Sequence, residues 1–369
     1  MIGNGILSRR AVRARRFLPR TGLLILTAAL LFVSGCAPSK PEFVPTPKNV
    51  QWFGFHALVE TKEDARALIT EIPYLAKLGV NLLIAEVDYN FEYMSHPELR
   101  GPDPISKATA KEIVNLCRSL GIRLVPEFQT LGHQSWDERT FALLTQYPQF
   151  DETPGQFPGN KDIYCRSWCP LHPDLIPIIN QLYDELLDAF EADALHIGMD
   201  EVFLIGSEFC PRCKGRDKAE LFAKAVQDAY DHIVTARGKE MLMWGDRFLD
   251  GVATGYGEWE ASTNGTFPAV DRVPKDIIIC DWHYELNETN TYPSIPILID
   301  KGFRVLPAGF RNVAEVKALI DYSLKFPTDR MLGYVCTIWR GAEAGKTRKF
   351  PALLAASKRL RATGKSGGN

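Results

Sequence analysis

From residue 50 onward the chain alternates between two hydrophobic periods. Short apolar runs predict strands over residues 52–57, 80–87, 122–128, 194–198, 240–245, 277–282, 303–307 and 333–338. Between them, apolar positions recur at helical spacing, most clearly over 62–78, 106–120, 174–190, 217–237, 313–324 and 350–360. In the first of these Ala65, Leu68, Ile69, Ile72, Leu75 and Ala76 share one face. Four of the stretches between strands end on glycine (Leu78-Gly79, Leu120-Gly121, Arg237-Gly238, Lys301-Gly302), the usual stop for a helix that must turn back toward a strand. Strands alternating with helices imply a parallel sheet. Eight such units in about 310 residues fit an α/β fold of the (β/α)8 TIM-barrel type with enlarged βα loops. The rival is a doubly wound open sheet, which is weakened because no glycine-rich phosphate loop follows the first strand.

The first fifty residues change the picture of where the barrel resides. Residues 1–35 hold six arginines and no acid, followed by an apolar run from Thr21 to Val33 that reads as the core of an export signal. The run ends in Val33-Ser34-Gly35-Cys36, which resembles a bacterial lipoprotein box. That resemblance makes residues 1–35 a signal peptide and Cys36 the lipidated N-terminus. Residues 36–49, with four prolines, become a lipid-anchored extended tether. Residues 50–365 are then the barrel. The expected location is exported and anchored to the bacterial membrane, with Ala37 after the cysteine favouring the outer membrane, on its periplasmic or outer surface. Beyond residue 35 the chain carries 37 basic and 45 acidic residues, a balance that argues against nucleic acid as a partner.

In a barrel, chemistry sits where the strands end at their C-terminal side. Those ends carry His56; Glu86 and Asp88; Glu127 and His133; Asp200 and Glu201; Trp244 and Asp246; Trp282, His283 and Tyr284; then Trp339 and Glu343. Indoles stack on the apolar faces of sugars, and carboxylates serve hydroxyl groups and glycosidic oxygens, so the set points to a carbohydrate site.

The segment His196-Ile197-Gly198-Met199-Asp200-Glu201-Val202 resembles the catalytic motif of glycoside hydrolase family 20, the β-N-acetylhexosaminidases, usually written H-x-G-G-D-E-V. Upstream, Cys169-Pro170-Leu171-His172-Pro173 and the helix leading to Phe190 resemble the family's approach to that strand. Pro126-Glu127-Phe128-Gln129-Thr130-Leu131-Gly132-His133 is similar to its P-E-I-D-x-P-G-H. The resemblance implies a glycosidase that cleaves N-acetylhexosamine bonds with retention, the sugar's own acetamido oxygen acting as nucleophile, and no cofactor needed for catalysis. It implies Glu201 as general acid/base and Asp200 as the group that orients the acetamido N–H. His133, Trp244, Trp282, Trp339, Tyr284, Asp246, Glu127 and His56 are expected around the sugar, with His133 tuning the acid. The seventh strand offers no carboxylate, which suits the substrate-assisted route.

The departures from the family pattern are local. Met199 stands at the motif's second glycine, Gln129 at its aspartate and Leu131 at its proline. The first strand lacks the family's sugar-gripping Asp and Arg, which implies an altered sugar subsite for a modified, sulfated or internal residue. Two alternatives remain at this level. One is a non-catalytic cell-surface glycan-binding lipoprotein; the other is a metal-dependent hydrolase using His56, His133 and His283. Oligomeric state and linkage stay open.

Of eight cysteines, Cys117, Cys280 and Cys336 sit in apolar contexts and are expected to be inert buried thiols. Cys165, Cys169, Cys210 and Cys213 follow strands three and four and could meet, either around a structural Zn2+ or as disulfides.

Overall fold

The computed structural model describes residues 51–327 and 329–364, with the side chains of 342–344 and 363–364 outside that description. The expected signal, Cys36 and the tether therefore lie outside the described residues, as does the Glu343 side chain. Eight parallel strands close into a barrel: β1 (Trp52–Leu58), β2 (Leu82–Glu86), β3 (Arg123–Thr130), β4 (Ala194–Gly198), β5 (Glu240–Trp244), β6 (Ile278–Trp282), β7 (Arg304–Gly309) and β8 (Gly333–Thr337). Each pairs with its neighbours in sequence, and β8 returns to β1 through Trp52 opposite Gly333. The (β/α)8 expectation holds, with one gap in the helical ring.

The longer helices are α1 (Lys62–Leu78), α2 (Lys107–Ser119), α3 (Leu175–Ala189), α4 (Lys218–Tyr230), α5 (Ser294–Asp300), α6 (Val313–Ser323) and α7 (Pro351–Gly364). Several are capped as their sequences dictate. Thr61 accepts from the Asp64 amide ahead of α1, Ser106 from Thr109 ahead of α2, and Asp217 from Glu220 ahead of α4. Gly79 closes α1 at φ 94°, where a side chain would be strained. The long helix predicted over 217–237 divides: α4 ends at Tyr230 and the chain continues to Ala236 in a wider coil. Between β5 and β6 only short turns occur, Gly251–Thr254 and Phe267–Asp271, so this connection is a loop.

Two apolar cores result from the alternation of side chains along each strand. Leu82, Ile84, Val125, Leu242, Ile278, Leu306 and Val335 fill the barrel interior. Leu83, Ala85, Leu124, Leu195, Met241 and Ile279 face outward and pack with the helices. Filling the interior leaves only the upper rim for chemistry, at the C-terminal ends of the strands.

Candidate active site

A cleft of about 1160 Å3 opens at that rim. Glu86, Gln129, His133, Asp200, Glu201, Trp282, Tyr284 and Trp339 line it, together with an outer group of Trp136, Tyr164, Trp259, Arg139 and Arg340.

The backbone that delivers the central residues is strained. Asp88, Leu131, His133, Met199 and Glu201 are non-glycine residues in the left-handed region, with φ between 45° and 68°. Each such residue costs about 1 kcal/mol and persists only where the surroundings enforce it. Gly198 is enforced sterically as well: a Cβ there would lie 1.9 Å from Gln129 Oε1. Met199 occupies the motif's glycine position at φ 68°, and its buried side chain joins the outer core rather than the cleft lining.

Asp200 and Glu201 follow β4 and are nearly buried, at 6% and 8% exposure. Gln129 Nε2 donates to Asp200 Oδ1 at 2.8 Å. His133 Nε2 lies 3.4 Å from Asp200 Oδ2 and 3.2 Å from Glu201 Oε2, bridging the pair. Burial acts to raise the Asp200 carboxyl, but the charge on His133 and the hydrogen bonds from His133 and Gln129 hold it below its ordinary value. Burial likewise acts to discharge His133. The facing Asp200, with hydrogen bonds to both carboxylates, instead holds it well above the ordinary histidine range. Gln129 thus serves Asp200, and the loop histidine takes its charge support directly from the two rim carboxylates.

Behind Glu201, the Glu201 amide donates to Asp246 Oδ2 at 2.9 Å, and the same oxygen accepts from Arg247 Nε at 2.6 Å. Burial lifts Asp246 to about 6 even with Arg247 beside it. Arg247 also donates to the carbonyls of Glu258, Trp259 and Ala261, which fastens the β5–β6 loop. Asp246 is buried and absent from the cleft lining, and its contact to the site runs through the Glu201 amide, from which it accepts.

Three more expected sugar contacts lie beneath the cleft floor. Glu127 is fully buried, with Oε2 3.1 Å from His56 Nε2 and Oε1 3.0 Å from His196 Nδ1; Trp244 Nε1 donates to that Oε1 at 2.9 Å. Glu86 closes the network at 3.1 Å from His56 Nε2. Burial favours the neutral Glu127, but the histidines on either side hold its carboxyl far below the usual range. His56 is held up to about 10, burial being overcome by Glu127 and Glu86. Trp244, Glu127 and His56 are thus fully buried in the barrel interior and absent from the cleft lining, one contact behind Glu86, which does line it.

Trp282, Tyr284 and Trp339 do line the cleft. The Trp339 indole donates to the Tyr284 hydroxyl at 2.9 Å, and Trp282 Nε1 has no hydrogen-bond partner among the described residues. Sequence reasoning missed the outer wall. Trp136 stacks on His133 at 6.3 Å between centroids, Tyr164 meets Trp136 edge-on at 5.5 Å, and Trp259 meets Tyr164 at 5.1 Å. Trp136 and Trp259 are 49% and 47% exposed. Their signal was available: large aromatics in long βα loops, where burial is not the default fate.

The histidines proposed for a catalytic metal are separated in their partners. His56 belongs to Glu86 and Glu127, His133 to Asp200 and Glu201, and His283 to Glu260 and Asp281. The four-cysteine expectation also needs correction. Cys165 Sγ points to the Glu201 carbonyl at 3.7 Å, whereas Cys169, Cys210 and Cys213 converge with Glu152.

Comparison with known proteins agrees with this geometry. Residues 64–295 match the family model "Glycosyl hydrolase family 20, catalytic domain". A β-hexosaminidase of Akkermansia muciniphila is 28% identical over 110 residues, covering 30% of this chain and 22% of that protein. Human hexosaminidase D is 28% identical over 141 residues, 36% of this chain and 26% of that one. The chain thus matches about a quarter of the length of these two relatives. Among solved structures, a chitobiase of Flavobacterium johnsoniae superposes with a TM-score of 0.62 at 19% identity, covering 85% of this chain and 48% of that one. An exo-β-N-acetylglucosaminidase of Vibrio harveyi, solved with N-acetylglucosamine, gives 0.60 at 16% identity, covering 85% and 54%. With the family model matching more than half of the chain and the Asp200–Glu201 pair at the mouth of a closed barrel, the chain belongs to glycosyl hydrolase family 20.

Proposed function

We propose that this protein hydrolyses N-acetylhexosaminides with retention of configuration, using the substrate's acetamido group as nucleophile and no cofactor. The observation that carries this reading is the Asp200–Glu201 pair, bridged by His133 and opening on a cleft walled by Trp282, Trp339 and Tyr284. Asp200, kept ionised by His133 and Gln129, accepts the acetamido N–H and turns its carbonyl oxygen toward the anomeric carbon. Glu201 gives its proton to the glycosidic oxygen as the bond from C1 to that oxygen breaks and the acetamido oxygen bonds to C1. Water then attacks C1, the ring formed by the acetamido group reopens, and the water proton returns to Glu201. Adjacent carboxyls can take these opposite roles because their surroundings differ: Asp200 receives the Gln129 amide, while Glu201 is braced through its backbone.

The missing strand-one Asp and Arg leave Glu60, Thr61 and Leu58 on that side of the cleft, with Arg340 from the β8 end. The lining holds Glu60, Glu86, Asp88, Asp137, Glu138, Asp200 and Glu201 against Arg139, Arg340 and the charged His133. That excess of carboxylates disfavours sulfated substrates and favours neutral acetamido sugars.

The arginine-rich start, the apolar run and Val33-Ser34-Gly35-Cys36 support export and lipidation at Cys36, which would carry the barrel on a membrane surface. Metabolic labelling with a fatty acid should tag the wild-type chain and not Cys36→Ala; equal labelling of both would refute the anchor.

Turnover of aryl N-acetylglucosaminides and N-acetylgalactosaminides is the test of the chemistry. Glu201→Gln should lose at least about 100-fold in kcat, the usual scale of general acid–base help, with its unfolding temperature unchanged. Glycan binding by wild type without turnover of any acetamido sugar would replace the enzyme by a binding protein.

A further inference from the structure

We propose that Cys169, Cys210, Cys213 and Glu152 form a structural divalent-metal site, selective for zinc, that pins the β3–α3 loop to the β4–α4 loop. One ligand atom from each of the four lies within 4.8 Å of every other, and all four residues are buried. Cys169 Sγ is 3.4 Å from both Cys210 Sγ and Cys213 Sγ. Sulfurs bound at about 2.3 Å to one tetrahedral zinc stand about 3.8 Å apart, so closure of the site needs shifts of a few tenths of an ångström. A disulfide, at about 2.05 Å, would need Cys169 to approach one partner by more than about 1 Å and would strand the third thiol.

The carboxylate is the second, independent observation. Glu152 is fully buried. Its Oε1 accepts from the Ser207 amide at 2.9 Å, which aims the group, while its Oε2 has no hydrogen-bond partner among the described residues. A buried carboxylate turned toward three thiols would be idle beside a disulfide, but it completes an S3O donor set. Thiolates select soft or borderline cations, and four ligands without an open position describe a structural rather than a catalytic zinc. The Cys210-Pro211-Arg212-Cys213 spacing is that of a common zinc-binding turn.

The site has a mechanical consequence at the cleft. Next to Cys169, the Trp168 amide donates to the Leu131 carbonyl, two residues from His133. Cys210 and Cys213 belong to the loop that begins with Asp200 and Glu201. The metal would hold together the two loops whose first residues carry the bridging histidine and the carboxyl pair, whatever sugar the cleft accepts.

The test uses the full chain, purified without chelator, and reads metal content, thiol state and unfolding temperature rather than activity. Elemental analysis should find one zinc per chain. Cys165→Ser should keep it, and Cys213→Ser and Glu152→Gln should lose or weaken it. A strong zinc chelator should lower the unfolding temperature of the wild type, and added Zn2+ should restore it. Should Cys213→Ser fail to fold, Co2+ loaded into the wild type must give the visible absorption of tetrahedral cobalt thiolate. A metal-free chain whose mass is short by two hydrogens, with a disulfide mapped among Cys169, Cys210 and Cys213, would overturn the proposal. So would metal retained unchanged in a folded Cys213→Ser, or three free thiols that take up neither zinc nor cobalt.

Discussion

Replacing Gln129 by glutamate isolates the electrostatics of the site in one atom pair. Gln129 Nε2 donates to Asp200 Oδ1 at 2.8 Å inside a buried pocket. In Gln129→Glu an oxygen takes that place. Two ionised carboxylates at this separation repel by about 6 kcal/mol at an effective dielectric of about 20, so they will not both ionise; one proton will be shared. Holding a carboxyl protonated at pH 7 against an unfolded value of about 4.3 costs up to about 4 kcal/mol, at about 1.36 kcal/mol per pH unit. The folded-state pKa of the pair rises above the unfolded value. The variant should therefore match wild type below about pH 4.3 and lose stability progressively as pH rises. Denaturant unfolding at pH 4.5 and 7.5 reads this directly, as the change in the wild-type-minus-variant difference. The activity profile should move to lower pH in parallel, since a protonated carboxyl at position 129 can again donate to Asp200. Equal stability losses at the two pH values, with superimposable rate profiles, would refute the Gln129–Asp200 contact and the ionised role of Asp200 with it.

Two further outcomes follow from the same charges and surfaces. His56 and His283 are both held up to about 10 by facing carboxylates against burial. Their stabilisation is complete below about pH 6.5 and is lost as pH rises toward about 10, so wild-type stability should decline over that window. His56→Gln should be less stable at neutral pH by about 3 kcal/mol, because Glu86 and Glu127 lose a buried partner, and its alkaline decline should be shallower. An unchanged slope would remove His56 from the account. Trp136→Ala and Trp259→Ala, at half-exposed positions, should shift stability by less than about 1 kcal/mol while raising KM for oligosaccharides several-fold more than for aryl monosaccharides. Equal KM for both substrate sizes would show that the outer aromatic wall touches no sugar.

Much of the barrel was legible because its determinants are local. The alternation of strand and helix periods and the glycine stops are properties of short windows, and the observed elements agree with them to within a few residues at most boundaries. The helix expected to run to Arg237 ended early because its last turn widened, a change no window of residue types announces. The Asp200–Glu201 pair was legible for the same reason: the two carboxyls are chain neighbours and need no fold to bring them together.

Depth within the barrel was not legible, and it decided which strand-end residues meet the cleft. Trp244 and Trp282 each end a strand, but Trp244 pairs in register with Cys280, two residues below Trp282. The stagger of a closed barrel therefore sinks one indole onto Glu127 and lifts the other to the rim. His56 likewise lies level with Ile84, two residues below Glu86. Sequence alone determined the eightfold repeat, the sign of the body's charge and the adjacency of the two carboxyls, because each is written along the chain. Register, loop crossing and burial decided the rest: His133 between the carboxylates, Asp246 behind Glu201, and Glu152 in place of Cys165 beside three thiols. Those relations join residues that stand far apart along the chain, and only a closed, staggered sheet fixes the distances between them.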